Sequence, residues 1–218
     1  PMLISERDFL NYIKCPLYYK LEANGHDMRR DTFNTFLHDV ANQYIKRVGS
    51  EKYLGKFDHE HYIKKHWDKV CLENQNIITP KQCIQGWGYL YRILEFINTT
   101  GVEVLDPEIS YKIEPEGQRH GLHGTLDPII KQGDFYTTLV MSFSDKLPES
   151  YVMDMNLKHT IDAYALNQLE TIYNINDKDI SIYAFWYSVL HESEALCKLI
   201  KDTPINVETW HKLKEIQS

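Results

Sequence analysis

No stretch of the chain approaches the ~18 uninterrupted apolar residues of a membrane-crossing helix, so no such span is expected. The apolar N-terminal start is cut short by Arg7 and Asp8, which argues against a secretory signal peptide. Cysteine is scarce. Cys15, Cys71, Cys83 and Cys197 stand far apart, so their spacing offers no zinc or iron–sulfur knuckle. Dispersed thiols suit a reducing cytoplasm, where they read as buried structural cysteines. Positive charge is short as well, with 24 Lys and Arg against 31 Asp and Glu and a net charge of −7. Duplex DNA is gripped largely through counterion release, which favours a basic face, so tight non-specific DNA binding is disfavoured. Any nucleic-acid site must be a local patch on an acidic body. Metal-binding carboxylates remain compatible with that balance. The glycine-rich loop of P-loop nucleotide hydrolysis is missing, and so is Gly-x-Ser-x-Gly.

What the chain does have is enough apolar material for a core. Of its 218 residues 43% are hydrophobic, and 15 are tyrosines, so disorder on compositional grounds is excluded. The length fits one large domain or two small ones, and with no internal repeat, low-complexity segment or obvious linker a single domain, 1–218, is expected. The first hundred residues read as helical. Ser5 can cap a helix bearing Phe9, Leu10 and Ile13, and Pro16 can open a second one that ends at Asn24-Gly25. Apolar residues recur at helical spacing over 31–48, 59–72 and 86–97, with Thr79-Pro80 as a further helix start.

Beyond Gly101 the pattern changes. Residues 102–113, broken by Pro107, and 121–130 read as strands, and 136–143 as the return strand of a hairpin. A helix over 157–173, a buried strand over 180–190, a possible strand over 195–200 and a closing helix over 207–216 follow. The expectation is an α/β fold, with a mixed central β-sheet flanked by helices.

Phosphodiester hydrolysis with divalent cations needs hard oxygen ligands gathered at the end of a sheet, with a lysine near the attacking water. A hairpin supplies these when one strand carries an acid and the next ends in acid-x-lysine, because residues two apart share a face. Here Asp127 lies in Gly124-Thr-Leu-Asp127-Pro, and the next strand runs into Ser142-Phe-Ser144-Asp145-Lys146.

The order of features resembles the RecB-type branch of the PD-(D/E)XK nucleases, which includes exonucleases of recombination and of CRISPR adaptation. Tyr12-Ile-Lys-Cys15-Pro16 is similar to that branch's N-terminal aromatic-x-x-Cys-Pro segment. His38, Glu108, the Gly124–Asp127 segment and Thr160-Ile-Asp-Ala-Tyr164 follow in its order, over residues 5 to about 190. The resemblance implies a restriction-endonuclease-like core, with Asp127, Glu108 and His38 around Mg2+ or Mn2+. It also exposes departures: the acid-x-lysine positions hold Ser142 and Ser144, and the helix glutamine is Thr160. The C-terminal cysteine cluster is absent, so no iron–sulfur cluster is expected.

Two repairs are open. Lys146 keeps a lysine near the strand end, with the acid supplied by Glu149 or Asp162. Lys158, one turn ahead of Asp162, can replace the lysine from the helix side. The leading expectation is a degenerate nuclease-fold protein of DNA processing that binds DNA or a protein of a DNA-processing machine, with no membrane partner. Its rivals are an active Mg2+- or Mn2+-dependent deoxyribonuclease and an assembly protein with no nucleic-acid role. A small relative of this kind suits a phage genome, and then the host cytoplasm.

Blander readings stand beside these. Asp127 before Pro128 can be a turn residue, His38 a core histidine, and Glu108 a cap or ion-pair partner. Arg29 and Arg30 with Tyr18 and Tyr19 can grip a phosphate backbone or stack on a base, or can be a solvated face. The pairs His120/His123 and His59/His61 lack a third partner at metal spacing and read as surface histidines.

Overall fold

Side chains that satisfy free backbone N–H groups set where the helices begin. A computed structural model describes residues 2–28, 30–105, 109–126, 128–132, 135–143, 157–158, 161–162, 165, 183–188 and 193–198. In it α1 (Glu6–Lys14) starts behind Ser5, whose hydroxyl accepts the Asp8 N–H at 3.0 Å. Helix α2 (Pro16–Ala23) opens on Pro16, with the Cys15 sulfur accepting the Tyr18 N–H at 3.5 Å, and Gly25 follows its end at a φ of 84°. Capping boxes start α3 (Phe33–Gly49), through Thr32 and Thr35, and α6 (Pro80–Thr100), through Thr79 and Gln82. Between them lie the short α4 (Glu51–Leu54) and α5 (His59–Glu73). These helices answer the helical spans read from the sequence.

One element breaks that pattern. Met2–Ser5 forms a strand, β1, paired in parallel with β4 (His120–Thr125). Four residues are too few for alternation to stand out beside the helical run that follows, so the first hundred residues are not wholly helical.

The remaining strands are β2 (Glu103–Val104), β3 (Ser110–Ile113), β5 (Ile129–Gln132), β6 (Phe135–Ser142), β7 (Tyr183–Ser188) and β8 (Ser193–Lys198). They form two mixed sheets rather than one, ordered β1-β4-β3 and β2-β5-β6-β7-β8. The expected strand over 121–130 is divided into β4 and β5, just as that over 102–113 is divided into β2 and β3. Pro128 has no N–H to give a ladder. Bonds from Leu126 N–H to the Ile109 carbonyl, 2.9 Å, and from Leu105 N–H to the Ile129 carbonyl, 3.0 Å, approach the break from both sides. The flanking pairs Val104–Ile130 and Ser110–Thr125 differ in register by one residue. Within the second sheet, β5 and β6 form the expected antiparallel hairpin, and β6 pairs with β7 in parallel.

Two apolar clusters hold the layers. The larger packs Leu37, Tyr44 and Ile45 of α3, Trp67 of α5 and Leu90 and Ile93 of α6 against Val104, Ile130, Leu139 and Met141 of the larger sheet. The smaller gathers Leu105, Tyr111, Ile113, Leu126 and Ile129 with Ile161 and Ala165, flanked by Phe9 and Leu10 of α1. Adjacent residues Ile129 and Ile130 enter different clusters, as do Val104 and Leu105, so this part of the sheet is covered on both faces. No described helix is long and apolar enough to cross a membrane. The expected closing helix over 207–216 lies outside the described residues.

Candidate functional site

The smaller cluster is bordered by a set of charged and polar groups that comes from three distant parts of the chain. Tyr111 on β3 sits opposite Gly124 on β4. A Cβ on Gly124 would stand 2.8 Å from the Glu6 Cβ and 2.8 Å from the Tyr111 hydroxyl oxygen. Glycine here is a packing requirement, because it lets the first turn of α1 lie against the strand. The Tyr111 hydroxyl donates to a Glu6 carboxylate oxygen in that space.

Residues 157–158, 161–162 and 165 are helical, and they bring Lys158 and Asp162, one turn apart, to the same place. The Lys158 ammonium lies 2.6 Å from Asp162 Oδ1, 2.9 Å from Glu6 Oε1, 3.1 Å from Glu6 Oε2 and 3.1 Å from the Thr125 carbonyl oxygen. Side-chain exposure is 0% for Asp162, 11% for Glu6 and 23% for Lys158. Three acceptor groups therefore face the three N–H bonds of one ammonium, in a place mostly closed to water. Tyr111, Gly124 and Thr125 also line a cleft of about 420 Å³ together with Ser110, Lys112 and His123, so the cluster borders an opening on the sheet.

The sequence-derived residues fare unevenly. Asp127, Glu108, Lys146, Ser144, Thr160 and Arg29 lie outside the described residues. Lys158 is among the described residues and meets Asp162, one turn along the same helical stretch. Ser142 ends β6 in register with Ser188 of β7. His38 on α3 is half-buried and packs edge-on against Phe143, ring centroids 4.6 Å apart. Burial lowers its pKa from the usual 6.5 against the smaller opposing pull of Asp39, which favours a neutral ring. Tyr18 and Tyr19 are half-buried on α2, where Tyr19 meets Tyr12 edge-on, and Arg30 is exposed in the loop beyond. Cys15, matched by position to an iron–sulfur ligand, serves as the cap of α2.

Glu6 is the residue that sequence reading misses. An acid in the first turn of a helix reads as a dipole partner, and nothing local reveals that it turns to a lysine 152 residues away. His59 also departs from expectation. It is not a surface histidine: Nδ1 lies 2.8 Å from the buried Tyr44 hydroxyl, Nε2 lies 2.8 Å from Glu51, and Phe57 stacks on its ring at 4.2 Å. His120, His123 and His61 are exposed as expected.

Among the described residues no three His, Cys, Asp or Glu side chains are placed to hold a metal ion. Glu6 and Asp162 are oxygen donors of the right kind, but the Lys158 ammonium stands between them. The described donor set therefore does not fit a divalent ion while Lys158 is in place.

No protein-family model matches the chain, and no curated protein matches it. The crystal structure of SSO0001 is similar over 93% of this chain and 83% of that one, at 14% identity and a TM-score of 0.29.

Proposed function

We propose that this chain is a PD-(D/E)XK nuclease-fold protein of DNA processing, in recombination, repair, replication or phage genome metabolism, that has lost cleavage and acts by binding. Its target is DNA or a protein of the DNA-processing machine. The sequence order Cys15-Pro16, His38, Gly124–Asp127 and Tyr164 supports the nuclease fold, as does a helical layer leading into a mixed sheet.

The observation that carries the loss of cleavage is the setting of Lys158. A lysine that assists an attacking water must keep an N–H for it. Those of Lys158 face Glu6, Asp162 and the Thr125 carbonyl, so its charge is spent on neighbours. The acid-x-lysine positions of the hairpin hold Ser142 and Ser144, which carry neither the acid nor the lysine.

The pairing of Lys158 with Asp162 also favours a second reading, an active nuclease whose acid and lysine have moved onto the helix. Asp127 and Glu108, with His38, would then hold Mg2+ or Mn2+.

Cleavage assays on single- and double-stranded DNA in Mg2+ and Mn2+ separate the two. The first reading expects no cleavage above that of Asp127→Ala, with DNA or partner binding unchanged by chelator. Metal-dependent cleavage that disappears in Asp127→Ala overturns it.

A further inference from the structure

We infer that the Lys158 ammonium stands in for a divalent cation, and that removing it uncovers a site for one. The inference rests on reading this pocket as belonging to a former metal enzyme, but its test does not depend on cleavage. Its basis is the company Lys158 keeps. Four oxygen atoms of Glu6, Asp162 and Thr125 lie within 3.1 Å of Nζ. Two carboxylates and a backbone carbonyl are the oxygen ligands that hard divalent ions take.

Charge supports the same conclusion. Two buried carboxylates side by side repel each other and are costly to ionise without a positive charge. Lys158 supplies one positive charge from within the chain, and it arrives with folding rather than from solution. A divalent ion would supply two, matching both carboxylates. The oxygens stand at 2.6 to 3.1 Å from Nζ, whereas Ca2+ takes oxygens at about 2.3–2.6 Å, so the pocket needs only a small contraction to accept an ion. The wall is already shaped for this: Gly124 leaves room for the Glu6 carboxylate, and the Tyr111 hydroxyl fixes it from the other side.

The test is thermal unfolding of the full chain and of Lys158→Ala, with and without millimolar Mn2+ or Ca2+, at constant ionic strength. The wild type is expected to keep its Tm. Lys158→Ala is expected to melt lower and to regain several degrees in either ion, a gain that Asp162→Asn removes when added to it. Lys158→Arg, which keeps the charge, is expected to ignore both ions. Where Lys158→Ala does not fold alone, refolding in Mn2+ is the readout, and recovery of the native circular dichroism is expected. Mn2+ electron paramagnetic resonance counts the bound ion directly. Equal ion binding by wild type and Lys158→Ala, or no ion effect on Lys158→Ala in melting or refolding, overturns the inference. Cleavage by the wild type would sink the proposed function while leaving these shifts to be read on their own.

Discussion

Lys158 and Glu6, separated by 152 positions in sequence, meet at 2.9 Å, and Asp162 reaches the same ammonium at 2.6 Å. The contact ties the first turn of α1 to the helical residues after β6, across the end of β4. Removing one member of such a pair leaves the others charged and poorly solvated. Lys158→Met is expected to cost about 3–5 kcal/mol in urea unfolding, and Lys158→Met with Asp162→Leu appreciably less than the two single changes combined. Additive losses would mean that the two side chains are not coupled.

Gly124→Ala tests the packing that makes room for this cluster. The added Cβ would stand 2.8 Å from Glu6 and from the Tyr111 hydroxyl, so one of them must shift. A loss of about 1–3 kcal/mol is expected, as for overpacking generally. Combining it with Tyr111→Phe should cost less than the sum, because that change removes one of the clashing atoms. A neutral Gly124→Ala would contradict the close approach.

The histidine on α3 gives the fold an acid-sensitive component. Burial holds the His38 pKa below 6.5, so the unfolded chain takes up this proton more readily than the folded one. The contribution is fully present above pH 6.5 and is lost as pH falls from there through the folded value. His38→Gln should flatten the stability profile in that window relative to the wild type. An unchanged slope between pH 7 and pH 5 would assign the acid sensitivity elsewhere.

Tyr44, His59 and Glu51 form a second polar group, distant in character from the first. Tyr44 is fully buried, and burial, helped by the nearby Glu51 charge, pushes its phenol pKa well up, so it stays neutral, hydrogen-bonded to His59 Nδ1. His59→Ala strands that hydroxyl and removes the stack on Phe57, with an expected cost of about 2–3 kcal/mol. Tyr44→Phe removes the need for a partner and should cost less. If both substitutions cost the same, the hydroxyl is not dependent on His59.

Thiol chemistry separates the cysteines. Burial, with a hydrogen bond to Cys83 next in weight, pushes the Cys71 thiol up to about 12, whereas Cys15 is exposed. Iodoacetamide at pH 8, followed by peptide mapping, is expected to label Cys15 well before Cys71. The reverse order would contradict the burial of Cys71.

Much of the scaffold is legible in the sequence because it is local. Ser5, Pro16, Thr32 and Thr79 announce helix starts through their own side chains, and the apolar spacing of α3 and α6 names the faces that are buried. The break between β4 and β5 falls beside Pro128, where a missing N–H demands it. What depends on distant pairing is hidden. Strand β1 is too short to show a period, and the separation into two sheets follows from pairings that no window contains. At the site, Lys158 and Asp162 are visible as a helical pair, while Glu6 is recognised only once α1 lies on Gly124. The neighbourhood of Cys71 and Cys83 is likewise a property of two packed helices, not of spacing.

The most direct test of the account is a crystal of the full chain soaked in Mn2+, read for anomalous density around Asp127, Glu108, Glu6 and Asp162. A binding protein that has lost cleavage predicts no peak there, with the Lys158 ammonium between Glu6 and Asp162. A Mn2+ ion held by Asp127 and at least one other carboxylate would contradict it and make the chain a working nuclease.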